Sequence, residues 1–372
     1  MLWIPGPTEV RPEILAECAR PAIGHRSPAM TELIERIDPH LPLAFGLAEG
    51  SSASCAVHSV SASGMMEASL RGVGPRVLAI QNGAFSRRFR QMAELLGKEV
   101  VAIELEWGTG IAPADLRRVL EESGPFDAVS LVSNETSTGV KTPLDSVSDV
   151  LRDFPGTLLL VDLVSYIAGA RVDFDQNGID FAFAGVQKAF ACPPGVSVFC
   201  ASERYLETAR QQPNRGWALD PVLLTEGHLN KKPPATPCTP LYYALAKQLE
   251  DITSGATLPE DQRLLSGAAA WQARFDKHTR MQARTLRWAH AHGLELLPAP
   301  AFASPTVSCI RAGHIDVAAM AKALLARGFE ISNGYGELKG KTFRIGHMGD
   351  HMEDDLEVLL RHMDEVLTTQ PA

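Results

Sequence analysis

The sequence predicts an α/β fold with two parts: a large domain built on a mainly parallel sheet, and a smaller α+β C-terminal domain. Between residues 57 and 200, short apolar runs alternate with amphipathic helical stretches. Strands that are apolar along their whole length are typical of a parallel sheet covered by helices on both faces. After Pro240, long helical stretches dominate and only short strand candidates remain. This change of pattern indicates a second domain.

The periodicity of apolar residues places the elements in order along the chain. Strand candidates in the large domain are Val77–Ile80, Val100–Leu105, Ala128–Ser133, Leu158–Asp162, Phe181–Val186 and Val196–Cys200. The helix candidates before Pro240 are Glu13–Arg20, Met30–Ile37, Met65–Leu70, Arg87–Leu96, Ala114–Glu121 and Ser146–Arg152. Later helices are predicted at Leu241–Ile252, Gln262–His292, Ile315–Ala326 and Asp354–Leu367, and later strands at Thr306–Ile310 and Thr342–Ile345.

We expect an N-terminal arm at residues 1–14, a large domain at 15–255 and a small domain at 256–372. The arm is predicted to be irregular because Pro5, Pro7 and Pro12 each remove a backbone donor and fix φ. The chain has 372 residues, which is more than one compact core usually holds. The boundary is placed at Ser254-Gly255, between the predicted helices.

Composition excludes several classes of protein. The chain is 45% hydrophobic and 21% charged, and its net charge of −9 with no dense Lys/Arg block argues against nucleic-acid binding. No apolar run is long enough to span a membrane, and the N-terminus lacks the features of a signal peptide. Six scattered cysteines without a C-x-x-C motif favour free thiols over disulfides or a metal site. We therefore expect a cytoplasmic protein without a metal.

The residues best suited to chemistry lie at strand ends, where open α/β sheets bind ligands. Lys188 follows the apolar run Phe181–Val186 and precedes another apolar stretch. Burial of its ammonium would lower the pKa of the amine and make it a nucleophile of the Schiff-base type. Alternatively, its stem lies on apolar surface and the ammonium reaches water, which is the commoner arrangement. Asp162 ends another apolar strand and could pair with a ring nitrogen and keep it protonated. Alternatively, it caps a helix or pairs with an arginine.

Other candidates also have both a functional and a structural interpretation. Ser61–Gly64 precede a helix and could bind an anion, or simply cap that helix. Thr136 and Ser137 could bond a ligand or form a turn, and Phe85 could stack on a flat ring or belong to the core. Arg344, inside an apolar strand, could bind a carboxylate or form a structural ion pair. The chain lacks glycine-rich nucleotide motifs and a G-x-S-x-G elbow, which argues against nucleotide-binding and hydrolase functions.

Taken together, the order and spacing of these residues resemble the class V group of fold-type I pyridoxal-phosphate enzymes, especially the alanine–glyoxylate and serine–glyoxylate (serine–pyruvate) aminotransferases. The resemblance covers nearly the whole chain, from Pro5 to Gly349. Its most specific segments are Val161–Ser165, Gln187–Ala189 with Pro193–Gly195, and Asn134–Gly139. The resemblance implies a mainly parallel seven-stranded sheet and pyridoxal 5'-phosphate as the cofactor.

The resemblance also implies a role for each cofactor-binding residue. Lys188 would form the Schiff base with the cofactor, Asp162 would pair with the pyridine nitrogen, and Phe85 would stack on the ring. The residues implied to face the phosphate are Ser61, Ala62, Ser63 and Gln187. Those implied to lie near the ring substituents are Thr136 and Ser137.

Substrate binding and assembly are implied in the same way. Arg344 would hold the α-carboxylate of the amino acid, and Gly6 and Arg26 would lie near the substrate. Thr236 matches a position that reaches the phosphate of the neighbouring subunit's cofactor. A homodimer with active sites near the subunit interface is therefore implied.

The implied activity is ping-pong transfer of an amino group from alanine or serine to glyoxylate or pyruvate. Three alternatives remain. An aminoethylphosphonate transaminase would use an extra cation such as Arg26. A desulfurase or other lyase would need a mobile nucleophilic cysteine, whereas Cys309 lies inside a predicted strand. A non-catalytic protein could retain the fold, although the combination of Lys188, Asp162 and Arg344 argues against it.

The chain departs from its apparent relatives at two positions near the expected phosphate site. Ala62 stands where they usually have a glycine, and Pro233 stands where some of them carry a phosphate-binding tyrosine. The methyl group of Ala62 leaves less room for close approach to the backbone. At Pro233, one phosphate hydrogen bond is expected to be missing or to come from another residue.

Overall fold

A computed structural model describes residues 1–369 and gives the following secondary structure. The strands are β1 (Ser54–His58), β2 (Arg76–Gln81), β3 (Glu99–Glu104), β4 (Ala128–Val132), β5 (Asn134–Glu135), β6 (Val140–Lys141), β7 (Leu158–Asp162), β8 (Phe181–Gly185), β9 (Ser197–Ala201), β10 (Val307–Arg311), β11 (Ser332–Asn333) and β12 (Thr342–Gly346). The helices are α1 (Pro12–Glu17), α2 (Pro28–Ile37), α3 (Leu41–Phe45), α4 (Ala62–Arg71), α5 (Ala84–Leu95), α6 (Pro113–Ser123), α7 (Leu144–Leu151), α8 (Glu203–Gln211), α9 (Pro221–Leu229), α10 (Thr239–Thr253), α11 (Gly267–Ala291), α12 (Val317–Leu325) and α13 (Glu353–Thr369).

The large sheet has seven strands in the order β1-β9-β8-β7-β4-β2-β3, which confirms the prediction of a mainly parallel sheet. The pairs β8–β7, β7–β4, β4–β2 and β2–β3 are parallel, whereas β9 is antiparallel to both of its neighbours. β9 reverses direction because the connection from Gly185 to Ser197 is too short to contain a crossover helix. Two-residue strands β5 and β6 form a separate hairpin after β4.

The central strands separate two apolar clusters, as expected for a sheet covered on both faces. Along β8, Phe181 and Phe183 belong to one cluster, while Ala182 and Ala184 belong to the other. Each large apolar side chain buried in this way contributes about 1.5–3 kcal/mol relative to an exposed one. The sheet therefore positions the ends of β4, β7 and β8 rigidly.

Some elements of the structure were not predicted from the sequence, and the predicted ends of others are wrong. Strand β1 has only Ala56 and Val57 fully buried, so its apolar signal is weak. Helices α3, α8 and α9 were not predicted. Predicted helix Gln262–His292 starts later, at Gly267, because the preceding segment folds back until the carbonyl of Leu265 packs against Gly255.

The small sheet has the order β10-β12-β11 and packs against helices of the C-terminal part. Val307, Met348 and Trp271 nevertheless belong to the same apolar cluster as the large sheet. The N-terminal arm joins the small sheet too. Trp3 N donates to the carbonyl oxygen of Glu330, and the carbonyl oxygen of Trp3 accepts from Gly346 N. The division at residue 255 remains a prediction.

A buried charged cluster ties these parts together. Arg274, on α11, is fully buried and forms an ion pair of 2.9 Å with Asp350, which follows β12. It also donates to the carbonyl oxygens of Ala168 at 3.1 Å and Ala189 at 2.6 Å. Asp350 receives a second ion pair from Arg11 of the arm at 2.7 Å. The cluster therefore links the arm, α11 and the turn after β12.

Replacing Arg274 with methionine should lower the free energy of unfolding by about 3–5 kcal/mol, because it leaves buried acceptors without their donor. The measurement is urea unfolding of the purified protein. The matched control is Arg280→Met on the same helix, where the ion pair with Glu353 is exposed and is worth about 0–1 kcal/mol. Equal losses in the two variants would contradict a structural role for the cluster.

Candidate active site

A cavity of ≈ 140 Å³ lies at the carboxyl ends of the central strands. Side chains from the ends of β7 and β8, from the segment after β4, and from the first turns of α4 and α5 form its wall. The lining residues are Ser61, Ala62, Ser63, Met66, Phe85, Arg88, Val132, Asn134, Thr136, Asp162, Val164, Gln187 and Lys188. Most residues expected at a cofactor site are thus brought together around one cavity.

Lys188 follows β8 and is held against the N-terminal arm. Its Nζ donates a hydrogen bond to the carbonyl oxygen of Pro5. The arm in turn fixes the lysine backbone, since Thr8 N donates to Gln187 O at 3.0 Å and Thr8 Oγ1 donates to Lys188 O at 2.9 Å. The pKa of the Lys188 amine is lowered to about 8. Burial is the main cause, the charge of Arg344 acts in the same direction, and the charge of Asp162 opposes the shift. An appreciable fraction of the amine is therefore neutral near physiological pH.

Gly6 lies in direct contact with the Lys188 side chain. Its φ of +87° favours glycine, and a Cβ at this position would overlap with Cδ of Lys188. No larger residue fits here without moving the lysine. The residue therefore brings the arm close to the amine, at the place where the sequence resemblance puts the substrate.

Asp162 ends β7 and is only 4% exposed. Its Oδ1 accepts a hydrogen bond of 2.8 Å from Val164 N. Burial raises the pKa of the Asp162 carboxyl to about 7; the nearby Glu135 also raises it, whereas the Val164 amide, Lys188 and Arg88 lower it. A buried carboxyl of this kind is stabilised in its ionised form by a cationic N–H partner.

Glu135, which was not predicted from the sequence as a site residue, organises the backbone of Phe85 and Ser86. This fully buried carboxylate accepts hydrogen bonds from Phe85 N at 3.1 Å and Ser86 N at 2.9 Å, at the start of α5. It also accepts from Ser137 Oγ at 2.6 Å. An acidic side chain at a helix N-terminus is favourable because it satisfies free amide groups. The position within Asn134–Gly139 was the available signal, but only the tertiary structure shows which helix is capped.

Thr136 and Ser137 have different positions. Thr136 lines the cavity, and its Oγ1 donates to Ser165 Oγ at 2.8 Å. Ser137 is not among the lining residues, because its hydroxyl bonds to Glu135 and accepts from Ala84 N at 3.0 Å. Thus Ser137 supports the start of α5 and does not face the ring position implied by the resemblance.

The expected phosphate end of the cavity is formed by the first turn of α4. Ser61 caps this helix, with its Oγ accepting from Gly64 N at 3.4 Å. Ala62 is the first helical residue, a backbone conformation that alanine adopts without strain. Gln187 also lines the cavity, and a Cβ at Gly185 would overlap with its side chain. The methyl group of Ala62 therefore does not obstruct the helix start.

Arg344 lies in the middle of β12 and is 7% exposed. Its guanidinium donates to the carbonyl oxygens of Asn333 at 3.1 Å and Thr136 at 3.2 Å, and lies 5.5 Å from the Tyr335 ring centroid. Burial lowers its pKa. Among residues 1–369 no carboxylate forms an ion pair with it, so the structural ion pair considered from the sequence is not found.

Besides Ser137, four implied residues are not among the lining residues of this cavity: Gly6, Arg26, Thr236 and Arg344. Arg26 and Thr236 are exposed, and neither lines the cavity. Cys309 is fully buried in β10, and burial raises the pKa of its thiol to about 11. A buried, protonated thiol on a strand is unsuited to the mobile nucleophile of a desulfurase.

Neither a membrane-spanning helix nor a metal-binding cluster occurs within the described residues. Across residues 1–369, every helix is too short or too polar to span a lipid bilayer. The same residues contain no group of three or more His, Cys, Asp or Glu side chains arranged to hold a metal ion.

Comparison with known proteins places this chain in a family. The family model described as Aminotransferase class-V matches residues 62–335, which include the cavity residues from β7, β8, α4 and α5. The chain belongs to the aminotransferase class V family. It is therefore a transaminase, and the family and fold class expected from the sequence are confirmed.

Individual relatives extend the similarity to nearly the whole chain. The serine–glyoxylate aminotransferase of Methylorubrum extorquens is 31% identical, over 94% of this chain and 86% of that protein. The (S)-ureidoglycine–glyoxylate transaminase of Bacillus subtilis is 30% identical, over 94% and 85% respectively. The structure of an alanine–glyoxylate aminotransferase from Nostoc sp. is 30% identical with a TM-score of 0.86, covering 98% of this chain and 94% of that chain.

Modification of Lys188 by cyanate in the protein without ligand should reach half of its maximal rate near pH 8. The neutral amine is the nucleophile, so the rate rises with pH through the lowered pKa. Because the charge of Asp162 raises this pKa, Asp162→Asn should move the midpoint to lower pH. Mass spectrometry of the Lys188 peptide across the pH range measures the midpoint for the wild type and for Asp162→Asn. A midpoint at the ordinary lysine value of 10.5 would show that the amine is not desolvated.

Proposed function

We propose that this chain is a pyridoxal 5'-phosphate-dependent aminotransferase that moves the amino group of a small amino acid to glyoxylate or pyruvate. The observation that carries the proposal is the placement of the Lys188 amine and the Asp162 carboxyl on one cavity. The buried guanidinium of Arg344, which pairs with no carboxylate within residues 1–369, lies close enough to influence the pKa of that amine. The amine suits the aldehyde of the cofactor, the carboxyl suits its pyridine nitrogen, and the guanidinium suits the carboxylate of the substrate.

The donor groups of the cavity fit the proposed cofactor. Lys188 would hold it covalently through Nζ, and the half-buried Phe85 ring offers a flat apolar surface for its ring. The first amide groups of α4 have no partner within the helix and suit a phosphate. The buried Asp162 carboxyl, with its pKa near 7, gains a partner from a protonated ring nitrogen.

When bound, the cofactor supplies an electron sink for the charge that develops at Cα of the amino acid. Asp162 would keep the proton on the ring nitrogen, which strengthens that sink. Lys188 Nζ, with a pKa near 8, can accept a proton from Cα and return it near neutral pH. The arm orients this amine through Pro5 O and keeps solvent away from one side of it.

Arg344 would bind the α-carboxylate of the amino acid, and afterwards that of the 2-oxo acid. The same guanidinium serves both half-reactions, so the two substrates bind alternately and the kinetics are ping-pong. Arg344 now donates to two backbone carbonyls, which a carboxylate can replace with stronger charge-assisted bonds.

The relatives support glyoxylate as acceptor and a small donor, since the proteins from M. extorquens and Nostoc sp. are described as serine–glyoxylate and alanine–glyoxylate aminotransferases. A cytoplasmic location is part of the proposal, supported by six free cysteine thiols. The donor panel should include aspartate, because a relative from Paracoccus denitrificans, 28% identical, is described as an L-aspartate–glyoxylate aminotransferase.

Lys188→Ala should abolish the visible absorbance band of the protein loaded with pyridoxal 5'-phosphate and lower kcat by about a thousand-fold or more. In the wild type, alanine, serine or glycine should each bleach that band in a half-reaction followed by spectrophotometry. Lys322→Ala, at an exposed lysine on α12, is the matched control and should behave as the wild type. Retention of the band by Lys188→Ala would refute the assignment of this lysine.

Arg344→Gln should raise KM for the amino acid by about 100-fold while leaving cofactor affinity unchanged, because a bidentate charge-assisted contact is lost. Steady-state kinetics and a cofactor titration separate the two quantities. The exposed Arg311, on neighbouring β10, provides the control. Arg311→Gln should change neither KM for the amino acid nor the affinity for the cofactor. A fall in cofactor affinity equal to the rise in KM would argue against substrate binding at Arg344.

We also propose a homodimer in which Thr236 reaches the cofactor phosphate of the partner subunit. Its support is that Thr236 is exposed and lies outside the cavity of its own chain. Sedimentation velocity should give twice the mass of one chain, and Thr236→Val should weaken cofactor binding by roughly 3- to 10-fold through one lost hydrogen bond. A monomeric protein with unchanged affinity would contradict this arrangement.

A further inference from the structure

The charges of the cavity leave one cation without an assigned role. Lys188 and Arg88 are the only Lys or Arg side chains among the residues that line it. Lys188 is committed to the aldehyde in the proposed function, and its amine is partly neutral. A phosphate monoester carries about −1.5 to −2 charges at neutral pH. Of the two, only Arg88 can supply a permanent positive charge to such a group.

Arg88 lies beside the first turn of α4. It is on α5, three residues after Phe85, and its Nη1 donates to Ser63 Oγ at 3.3 Å. The guanidinium carbon lies 5.0 Å from the Phe85 ring centroid. The cation therefore stands between the proposed ring-stacking residue and the proposed phosphate-binding turn.

The guanidinium is also available to a ligand. Within residues 1–369, Arg88 forms no ion pair with a carboxylate, and its hydrogen bond to Ser63 uses one of five donor N–H groups. The neighbouring Arg87 differs, since its side chain is exposed and lies 3.6 Å from Glu337 and over the Trp107 ring. The two adjacent arginines thus provide a comparison at the same point of one helix.

The sequence of this chain makes an additional phosphate donor useful. The resemblance implies a phosphate-binding tyrosine in some relatives at the position of Pro233, and proline has neither a hydroxyl nor an amide hydrogen. Ala62, at the first position of α4, offers only its backbone amide. Arginine matches the geometry of phosphate oxygens with two parallel N–H groups, so one side chain can replace more than one neutral donor.

We propose that Arg88 is the principal cation of the cofactor's phosphate site, and that its guanidinium binds the phosphate together with the first amides of α4. This inference rests on the proposed function. The competing explanation is that Arg88 only supports the Phe85 ring through their cation–π contact. The two explanations differ because support of the ring affects every ligand with a pyridine ring, whereas a phosphate contact affects only phosphorylated ligands.

The test compares the affinities of the protein without cofactor for pyridoxal 5'-phosphate and for pyridoxal, measured by equilibrium titration. Arg88→Gln should raise Kd for the phosphorylated ligand by about 10- to 100-fold and change that for pyridoxal by less than about 3-fold. Arg88→Lys should fall between the wild type and Arg88→Gln. Arg87→Gln, the matched control, should change neither affinity. Inorganic phosphate should compete with pyridoxal 5'-phosphate in the wild type and lose this effect in Arg88→Gln.

Each outcome decides between the explanations. Equal weakening of both ligands would overturn the proposal in favour of support for the Phe85 ring. Unchanged affinity for both ligands would overturn the proposal and would also contradict support of the ring. Retained binding of pyridoxal by Arg88→Gln also shows that the variant is folded. If the wild type binds neither ligand, the proposed function fails and this inference fails with it; loss of phosphate selectivity alone leaves the proposed function intact.

Discussion

The backbone around Lys188 is fixed from several directions, and the rest of the site is arranged about this point. The arm bonds to the carbonyl oxygens of Gln187 and Lys188 through Thr8, and Arg274 bonds to the carbonyl oxygen of Ala189. Arg274 in turn pairs with Asp350, six residues after Arg344 along the chain. The segment that carries the amine and the turn that follows the strand of Arg344 are therefore tied by one buried network. Placement of this kind is what a reaction between two bound groups requires.

The pKa shifts at the site have opposite directions and a common cause. Burial raises the pKa of Asp162 to about 7 and lowers that of Lys188 to about 8, because it disfavours the charged form of each group. Their mutual attraction opposes both shifts without cancelling them. Groups poised in this way exchange protons readily at neutral pH, which is typical of acid–base sites.

The sequence was informative where a local pattern decides the structure. Lys188 and Asp162 could be predicted because each lies at the end of a continuous apolar strand, and parallel strands end at a common edge. Ser137 and Glu135 could not be distinguished, since adjacent polar residues after β4 give the same local signal. Only the packing of α5 against that segment shows that Ser137 supports Glu135 and that Thr136 faces the cavity. Arg88 was missed for a similar reason, because an arginine on an amphipathic helix ordinarily faces solvent.

The contact between the arm and Lys188 has a consequence for how the molecule assembles. Trp3, Gly6 and Thr8 are near the start of the chain, yet their partners are Gly346, Lys188 and Gln187. Such non-local contacts form late, since the entropy of closing the intervening loops must be overcome first. During synthesis the arm cannot pair with β12 until residue 346 has left the ribosome. Residues 3–8 are made long before β12, yet they can take their native place only after it.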